Sequence, residues 1–152
     1  MSMIRSSIGR RTSDGSSAAA ALEFIAGAKG AFIKQMVISL AAATASTFGI
    51  GRPAALGITP TTPVTSLPEL DLQSAVTCKT AIAWGTGPTV PANFFRRVGF
   101  PATIGSFQPF DFAGNGLWVP PNQSVVVWNL AANGVCDVTI VADEPSVAPT
   151  FP

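Results

Sequence analysis

The feature that most constrains how this chain can fold is an alternation of apolar and polar residues, with a period of two, in residues 116–144. In its second apolar run, Cys136, Val138 and Ile140 share one face and polar residues occupy the other, as in a strand with one buried side. The run before it, residues 124–130, is rich in β-branched and aromatic residues, which favour strands. We therefore predict two consecutive strands in this stretch.

The link between these two strands, residues 131–134, reads AANG. Asn133 and Gly134 tolerate the positive φ that a tight chain reversal requires. Pro120 and Pro121 cannot donate hydrogen bonds to a ladder, so they mark the start of the first strand. The pattern predicts a β-hairpin that closes the domain.

The rest of the chain shows the same alternation, interrupted by glycine and proline. Within residues 31–41, Phe32, Met36 and Ile38 are predicted to share one face. Residues 54–72 are predicted to be a long connection, and residues 101–115 a loop. We predict further strands over residues 22–25, 31–41, 44–50, 74–85 and 93–100. Seven or eight short strands without an amphipathic helix indicate an all-β fold, an antiparallel β-sandwich of jelly-roll or Greek-key type.

The two ends of the chain differ from this central domain, which we place at residues 18–144. Residues 1–17 are rich in serine and arginine and show no apolar period, so we predict an extended N-terminal arm. The arm either contacts a neighbouring subunit or packs on its own domain, and we favour the neighbour. Arg5, Arg10 and Arg11 would then be its partner-binding residues. Residues 145–152 form a proline-rich C-terminal tail.

The scarcity of charge indicates that copies of the chain cover one another. Charged residues make up 11% of the sequence, well below the roughly 25% of an ordinary soluble domain. A surface so poor in charge is typical of a homo-oligomer or a larger assembly. Phe107, Phe110, Phe112 and Trp118 surround a glycine-containing loop, and we predict that they form the oligomer interface. Packing in the core is the competing explanation.

The net charge of +1 gives no global attraction to nucleic acid or to an anionic membrane. No stretch of the sequence predicts a transmembrane helix. Arg96 and Arg97 are the one concentration of charge within the domain. They are either a recognition patch for an anionic partner or the charges that protect an exposed edge strand, and we favour the second interpretation.

The residue types needed for catalysis are scarce. The chain has no histidine and no tyrosine, which removes the commonest general base and a common acid. Cys78 and Cys136 have no metal-ligand spacing, and we interpret them as buried free thiols in preference to a single disulfide. No nucleophile elbow, phosphate-binding loop or zinc-protease motif is present. We expect neither an enzyme nor a cofactor or metal site.

Several segments together resemble a class of small bacteriophage virion proteins with a single β-sandwich domain. The segments are GRPAALG, an Arg-Arg pair before PATIG, and VPPNQSVVVWN, and the resemblance spans residues 32–144. It implies a jelly-roll module that assembles as an oligomer, as decoration or spike on the head or as part of the tail. It brings no catalytic residues with it, and the N-terminal arm departs from the bare domain.

These observations lead to one main hypothesis and two alternatives. The main one is a capsid decoration or head-spike protein on the virion surface, assembled in the host cytoplasm. It would be a homo-oligomer, which we expect to be a trimer, that binds the major capsid protein through its arm. The first alternative is a host-receptor or glycan-binding tip, in which Trp84, Trp118 and the Arg96–Arg97 pair form a sugar platform. The second is a small jelly-roll coat protein whose arm arginines touch the genome.

Overall fold

The structure, a computed structural model, describes residues 3–12, 19–69, 75–131 and 134–152. In these residues it contains β-strands and no helix, so the prediction of an all-β chain is confirmed. No helix in the described part of the chain is long and apolar enough to cross a membrane. The strands are β1 (Met3–Arg11), β2 (Ala19–Ile25), β3 (Ala31–Leu40), β4 (Ser46–Gly51), β5 (Ile58–Pro60), β6 (Val64–Thr65), β7 (Leu67–Pro68), β8 (Lys79–Ala81), β9 (Trp84–Thr86), β10 (Arg96–Phe100), β11 (Phe107–Asp111), β12 (Leu117–Val119), β13 (Ser124–Ala131) and β14 (Cys136–Pro145).

Two six-stranded antiparallel sheets pack face to face as a β-sandwich. Sheet A has the order β11-β3-β14-β1-β7, with β12 also paired to β3, and sheet B has the order β10-β4-β13-β2-β8-β6. Strands β5 and β9 form a separate pair. Side chains from both sheets meet in one buried core, which includes Phe24, Phe48, Ile50 and Val127 of sheet B and Met36, Ile38, Val138 and Ile140 of sheet A.

The N-terminal segment is part of this sandwich. Strand β1 pairs with β14 over its whole length, from Met3 opposite Pro145 to Arg11 opposite Asp137, and with β7 on its other side. The prediction of an extended arm is therefore wrong over Met3–Arg11, where the segment packs on its own domain. The apolar period is hard to see because the buried position before Ile8 is occupied by a serine, Ser6. Residues 1–2 and 13–17 of the predicted arm lie outside the described residues.

The predicted closing hairpin is also wrong. Its two strands exist, as β13 and β14, but β13 pairs with β2 and β4 in sheet B, whereas β14 pairs with β1 and β3 in sheet A. The chain crosses between sheets after β13, and residues 132–133, including Asn133 of the predicted turn, lie outside the described residues. Each strand instead pairs with two partners in its own sheet, and two partners together provide more ladder hydrogen bonds than a single mutual pairing would.

A β-bulge in β3 changes which residues face the core. Val141 is opposite Gln35 but Ala142 is opposite Ile33, so Lys34 is an extra residue without a partner on β14. An extra residue reverses the side-chain phase of a strand. Ile33 consequently joins the core, and Phe32 lies on the outer face of sheet A. The prediction that Phe32 shares a face with Met36 is wrong for this reason.

Both long sides of the sandwich are crossed by connecting segments. On one side the chain passes from β6 in sheet B to β7 in sheet A at Ser66, which is buried and donates its backbone N–H to the Cys78 carbonyl at 3.0 Å. On the other side residues 101–106 connect β10, the outermost strand of sheet B, to β11, the outermost strand of sheet A. This second crossing carries the candidate site.

Candidate interaction surface

Strands β10 and β11 form one open side of the sandwich. β10 pairs with β4, from Arg96 opposite Ile50 to Phe100 opposite Ser46, and β11 pairs with β3. In the described part of the chain, no strand pairs with the outer edge of either one. Such edges present unpaired backbone groups to which another chain can add. Pro109, in the middle of β11, removes one of these donors and is typical of an edge strand.

Residues 98–108 line a depression of about 510 Å³ between these two edges, which we call the β10–β11 surface. Two large apolar side chains on it face solvent, since Ile104 is 65% exposed and Phe107 is 66% exposed. Single exposed apolar residues are common on proteins. A concave surface that presents two of them together is typical of a contact site for another protein. Ile104 could not be predicted, because it stands alone in a segment predicted to be a loop.

The four aromatic residues predicted to form an oligomer interface are not brought together on one exposed surface. Phe107 lies on the β10–β11 surface, but Phe110 packs against the core and Phe112 is a buried core residue. Trp118 is half-buried on the outer face of sheet A. Core packing, the competing explanation, therefore accounts for Phe110 and Phe112, because both occupy the inward positions of the segment that begins with β11.

Arg96 and Arg97 are neighbours on β10, so their side chains leave the strand on opposite faces. The Arg96 guanidinium carbon lies 5.4 Å from the centre of the Phe112 ring, in a cation–π contact that spans the gap between the two edge strands. Its Nη1 also donates a hydrogen bond to the Phe95 carbonyl at 2.8 Å. Arg97 is exposed. The pair does not form a joint recognition patch, and its edge position is the one that charge protection requires.

The N-terminal arginines that were predicted to bind a partner are engaged within the chain. Arg5 donates two hydrogen bonds to the Asp143 carboxylate, at 2.8 and 3.0 Å, and this contact raises the pKa of Arg5. Arg11 forms a similar pair with Asp137 at 2.9 and 3.2 Å. Both pairs connect β1 to β14, so they stabilise the position of the N-terminal strand.

Arg10 points to the opposite side of β1. Its Nη1 donates to the backbone carbonyls of Thr62 and Thr80, at 2.9 and 3.0 Å, and burial lowers the pKa of its guanidinium. The Arg10 side chain thereby connects sheet A to β8 of sheet B, which contains Thr80, and to the segment between β5 and β6, which contains Thr62. All three arginines have structural contacts inside the described domain.

Comparisons with protein-family models, curated proteins and solved structures found no match. The function therefore has to be inferred from the strand order and from the surfaces of this chain.

The aromatic cluster consists of Phe32, Trp118 and Phe151, and we call the first two of these residues the aromatic cradle. The ring centres of Phe32 and Trp118 are 4.6 Å apart, and Phe151 from the C-terminal tail lies 5.2 Å from Trp118 and 6.5 Å from Phe32. Gly30, at φ +74°, lies directly beneath the indole, where a Cβ atom would approach the ring to 2.2 Å. Glycine is therefore required at this position. Arg52 donates to the Trp118 carbonyl at 2.8 Å.

The predicted sugar platform is not assembled. Trp84 covers the outer face of sheet B, where its Nε1 donates to the buried carboxylate of Glu23 at 2.7 Å. Trp118 lies on the outer face of sheet A. The two indoles thus occupy opposite faces of the sandwich. Among the described residues, no group of three or more histidine, cysteine, aspartate or glutamate side chains could hold a metal ion.

The cysteines are free, buried thiols, as the sequence predicted. Burial raises the pKa of Cys136 to about 11 and raises the pKa of Cys78 further. The Cys136 thiol also lies 3.2 Å from the Thr12 hydroxyl. Neither thiol has the exposure or the lowered pKa of a reactive cysteine.

Proposed function

We propose that this protein is a structural component of a bacteriophage particle, a self-associating jelly-roll module that decorates the capsid or forms part of a head spike. The observation that carries the proposal is the order of the eight strands that are five residues or longer: β1, β2, β3, β4, β10, β11, β13 and β14. The first four pair with the last four in reverse order, β1 with β14, β2 with β13, β3 with β11 and β4 with β10.

This pairing is that of one long antiparallel ribbon rolled up so that its successive strand pairs alternate between two sheets. From this pairing we infer that the fold is a jelly roll, a fold common among viral capsid proteins and lectins. The β13–β14 crossing between sheets, which contradicts a hairpin, is a step that the rolling requires. A fold does not determine a function, so the proposal needs support from the surface as well.

The surface supports self-association. Few charges cover the chain, and the β10–β11 surface exposes Ile104 and Phe107 beside two open strand edges. Burying each side chain fully would contribute roughly 1.5–3 kcal/mol, whereas a micromolar complex needs about 8 kcal/mol. Two side chains therefore do not suffice, and we propose that backbone pairing along the edges adds the remainder. The sequence predicted that the N-terminal arm contacts a neighbouring subunit. We propose that the β10–β11 surface makes this contact instead.

The same geometry ranks the alternatives lower. A coat protein that touches its genome needs free cations on a flexible arm, but Arg5, Arg10 and Arg11 are all engaged inside the domain. A glycan-binding tip would have to place aromatic platforms together, but Trp84 and Trp118 lie on opposite faces. Decoration or spike assembly requires neither feature. A trimer remains our proposed oligomer.

The proposal is tested by the solution mass of three full-length chains in analytical ultracentrifugation. We expect the unmodified chain to form a discrete oligomer and Phe107→Lys to shift it to the monomer, because the charge would be buried at the contact. Leu67→Lys is the matched control, since Leu67 is 69% exposed on the opposite side of the sandwich. A monomeric unmodified chain, or an equal effect of both substitutions, would contradict the proposal.

Placement on a particle requires a second measurement. Purified chain is mixed with phage heads that lack it, and co-sedimentation with the heads is scored. Attachment of the unmodified chain supports decoration or spike assembly. A stable oligomer that leaves heads untouched but binds host surface polysaccharide would instead favour the receptor-binding alternative.

A further inference from the structure

The C-terminal tail, residues 146–152, follows β14 and belongs to neither sheet. Across the described residues, it makes no backbone hydrogen bond with the sandwich. Its aromatic contacts come from one side chain, Phe151, which touches the aromatic cradle formed by Phe32 and Trp118. The tail therefore has one aromatic anchor, Phe151, and a linker without backbone pairing to the described sandwich.

This anchor is only partly covered. Phe151 is 57% exposed although it contacts both rings, and Val147 of the same segment is 69% exposed. Phe32, by contrast, is 7% exposed. A single chain thus completes the cradle but leaves more than half of the inserted side chain in water. Contact with a second copy would bury this remaining apolar surface.

We propose that the aromatic cradle is a docking site for the C-terminal tail of a second copy of this chain, and that tails are exchanged between subunits of the oligomer. The contact lies entirely between tail and cradle, so a neighbour's Phe151 makes the same contact as the chain's own. Exchange of an identical segment between subunits is a route to assembly that requires no new complementary surface. The inference rests on the proposed self-association and names one of its contacts.

The sequence and position of the tail fit this role. Pro145, Pro149 and Pro152 favour an extended chain, so less conformational entropy is lost on docking. At about 3.1 Å per residue, the seven residues after Pro145 reach roughly 20 Å. The cradle residue Trp118 lies in β12, which pairs with β3 on the same edge as β11. A subunit bound at the β10–β11 surface would therefore lie on the side that carries the cradle.

Mass action decides between the two arrangements. In a dilute monomer, the chain's own tail occupies its cradle. In an oligomer, the tail of the adjacent subunit competes at a high effective concentration set by the linker length. The exchanged tail makes the same contact with the cradle but runs between two subunits, where Val147 and the exposed part of Phe151 would be buried.

The test uses full-length chains in which half the copies carry isotopic label. Isotope-filtered NMR of the mixed oligomer detects contacts between the labelled ring of Phe151 in one copy and the unlabelled indole of Trp118 in another. We expect such contacts. An oligomer of full mass that shows Phe151–Trp118 contacts only within one copy overturns the exchange and leaves the proposed function standing. A chain that is monomeric at every concentration overturns both.

A peptide experiment tests the cradle independently. A synthetic peptide with the sequence of residues 145–152 is added to the full-length Phe151→Ala chain, whose cradle has lost its own ring, and tryptophan fluorescence is followed. We expect saturable binding, at least about tenfold weaker for a peptide with alanine in place of the phenylalanine. Val147→Ala is the matched control chain, because its own Phe151 still competes with the peptide. Equal binding to both chains, or no difference between peptides, contradicts the proposal.

Discussion

Two carboxylates, those of Glu23 and Glu144, are almost completely buried, and each holds a connecting segment against the sandwich. Glu144, near the end of β14, accepts hydrogen bonds from the backbone N–H groups of Thr77 and Cys78, at 3.0 and 3.1 Å, and from the Thr77 hydroxyl at 2.5 Å. Hydrogen bonds to a charged acceptor are stronger than neutral ones. This single side chain fixes the segment that leads into β8.

The first prediction concerns this carboxylate. Glu144→Gln should lower the free energy of unfolding by roughly 2–3 kcal/mol, because the amide NH₂ group would face donors and leave buried N–H groups unsatisfied. Urea unfolding measures the change. Asp137→Asn is the matched control, since the Asp137–Arg11 pair is largely exposed and such pairs contribute little. Equal losses of unfolding free energy in the two variants would mean that the Glu144 hydrogen bonds stabilise the fold no more than an exposed ion pair does.

A second prediction at the scale of residues concerns pH. The folded-state pKa of Cys136, about 11, is above the ordinary thiol value of 9.0. The unfolded chain therefore loses this proton first, so stability is constant below about pH 9 and falls as the pH rises toward about 11. The chain has no tyrosine, so no phenol titrates in this window.

Urea unfolding at a series of pH values from about 8 to about 11 measures this slope. Cys136→Ala should make the slope of unfolding free energy against pH shallower. The slope that remains would come from the Cys78 thiol. A slope unchanged by the substitution would show that the Cys136 thiol does not titrate differently in the two states.

Local patterns predicted the strands but not their partners. The alternation in residues 31–41 and 93–100 locates β3 and the edge strand β10 within a few residues. The Asn133–Gly134 pair predicted a hairpin because a turn signal is local, whereas the choice of sheet depends on strands more than 80 residues away, such as β3 beside β14. The bulge at Lys34 has no sequence signature, so the outward position of Phe32 and the aromatic cradle could not be predicted.

The candidate site shows the same division. An aromatic contact was predicted around residues 107–118, and Phe107 is exposed there. Ile104 was missed because one apolar residue between turn residues has no period. Phe151 was missed because a proline-rich tail gives no indication of where its one aromatic residue docks. Both residues were missed because their contacts are with residues far away in the chain, which local patterns do not reveal.

The third prediction tests the N-terminal strand. Ile8 faces the core from β1 and is 6% exposed. Ile8→Ala should lower the free energy of unfolding by roughly 2–5 kcal/mol, the cost of a buried cavity. Met3→Ala, in the same strand at a residue 45% exposed, should change it little. If both substitutions leave urea unfolding unchanged, the segment is a detached arm after all. Contact with a neighbouring subunit, as predicted from the sequence, would then be its role.

The sandwich taken as one body leaves its β10–β11 side unpaired, with Ile104 and Phe107 exposed there, and its net charge is only +1. Self-association through that side should therefore be driven by burial of apolar surface. The association constant measured by sedimentation should change little between about 0.05 and 0.5 M sodium chloride, because few ion pairs are available to be screened. The association constant should increase in sulfate and decrease on cooling, because sulfate strengthens hydrophobic contacts and cooling weakens them. An association constant that falls steeply with salt would mean that Arg97 and other exposed charges form the contact, and would return an anionic partner to first place.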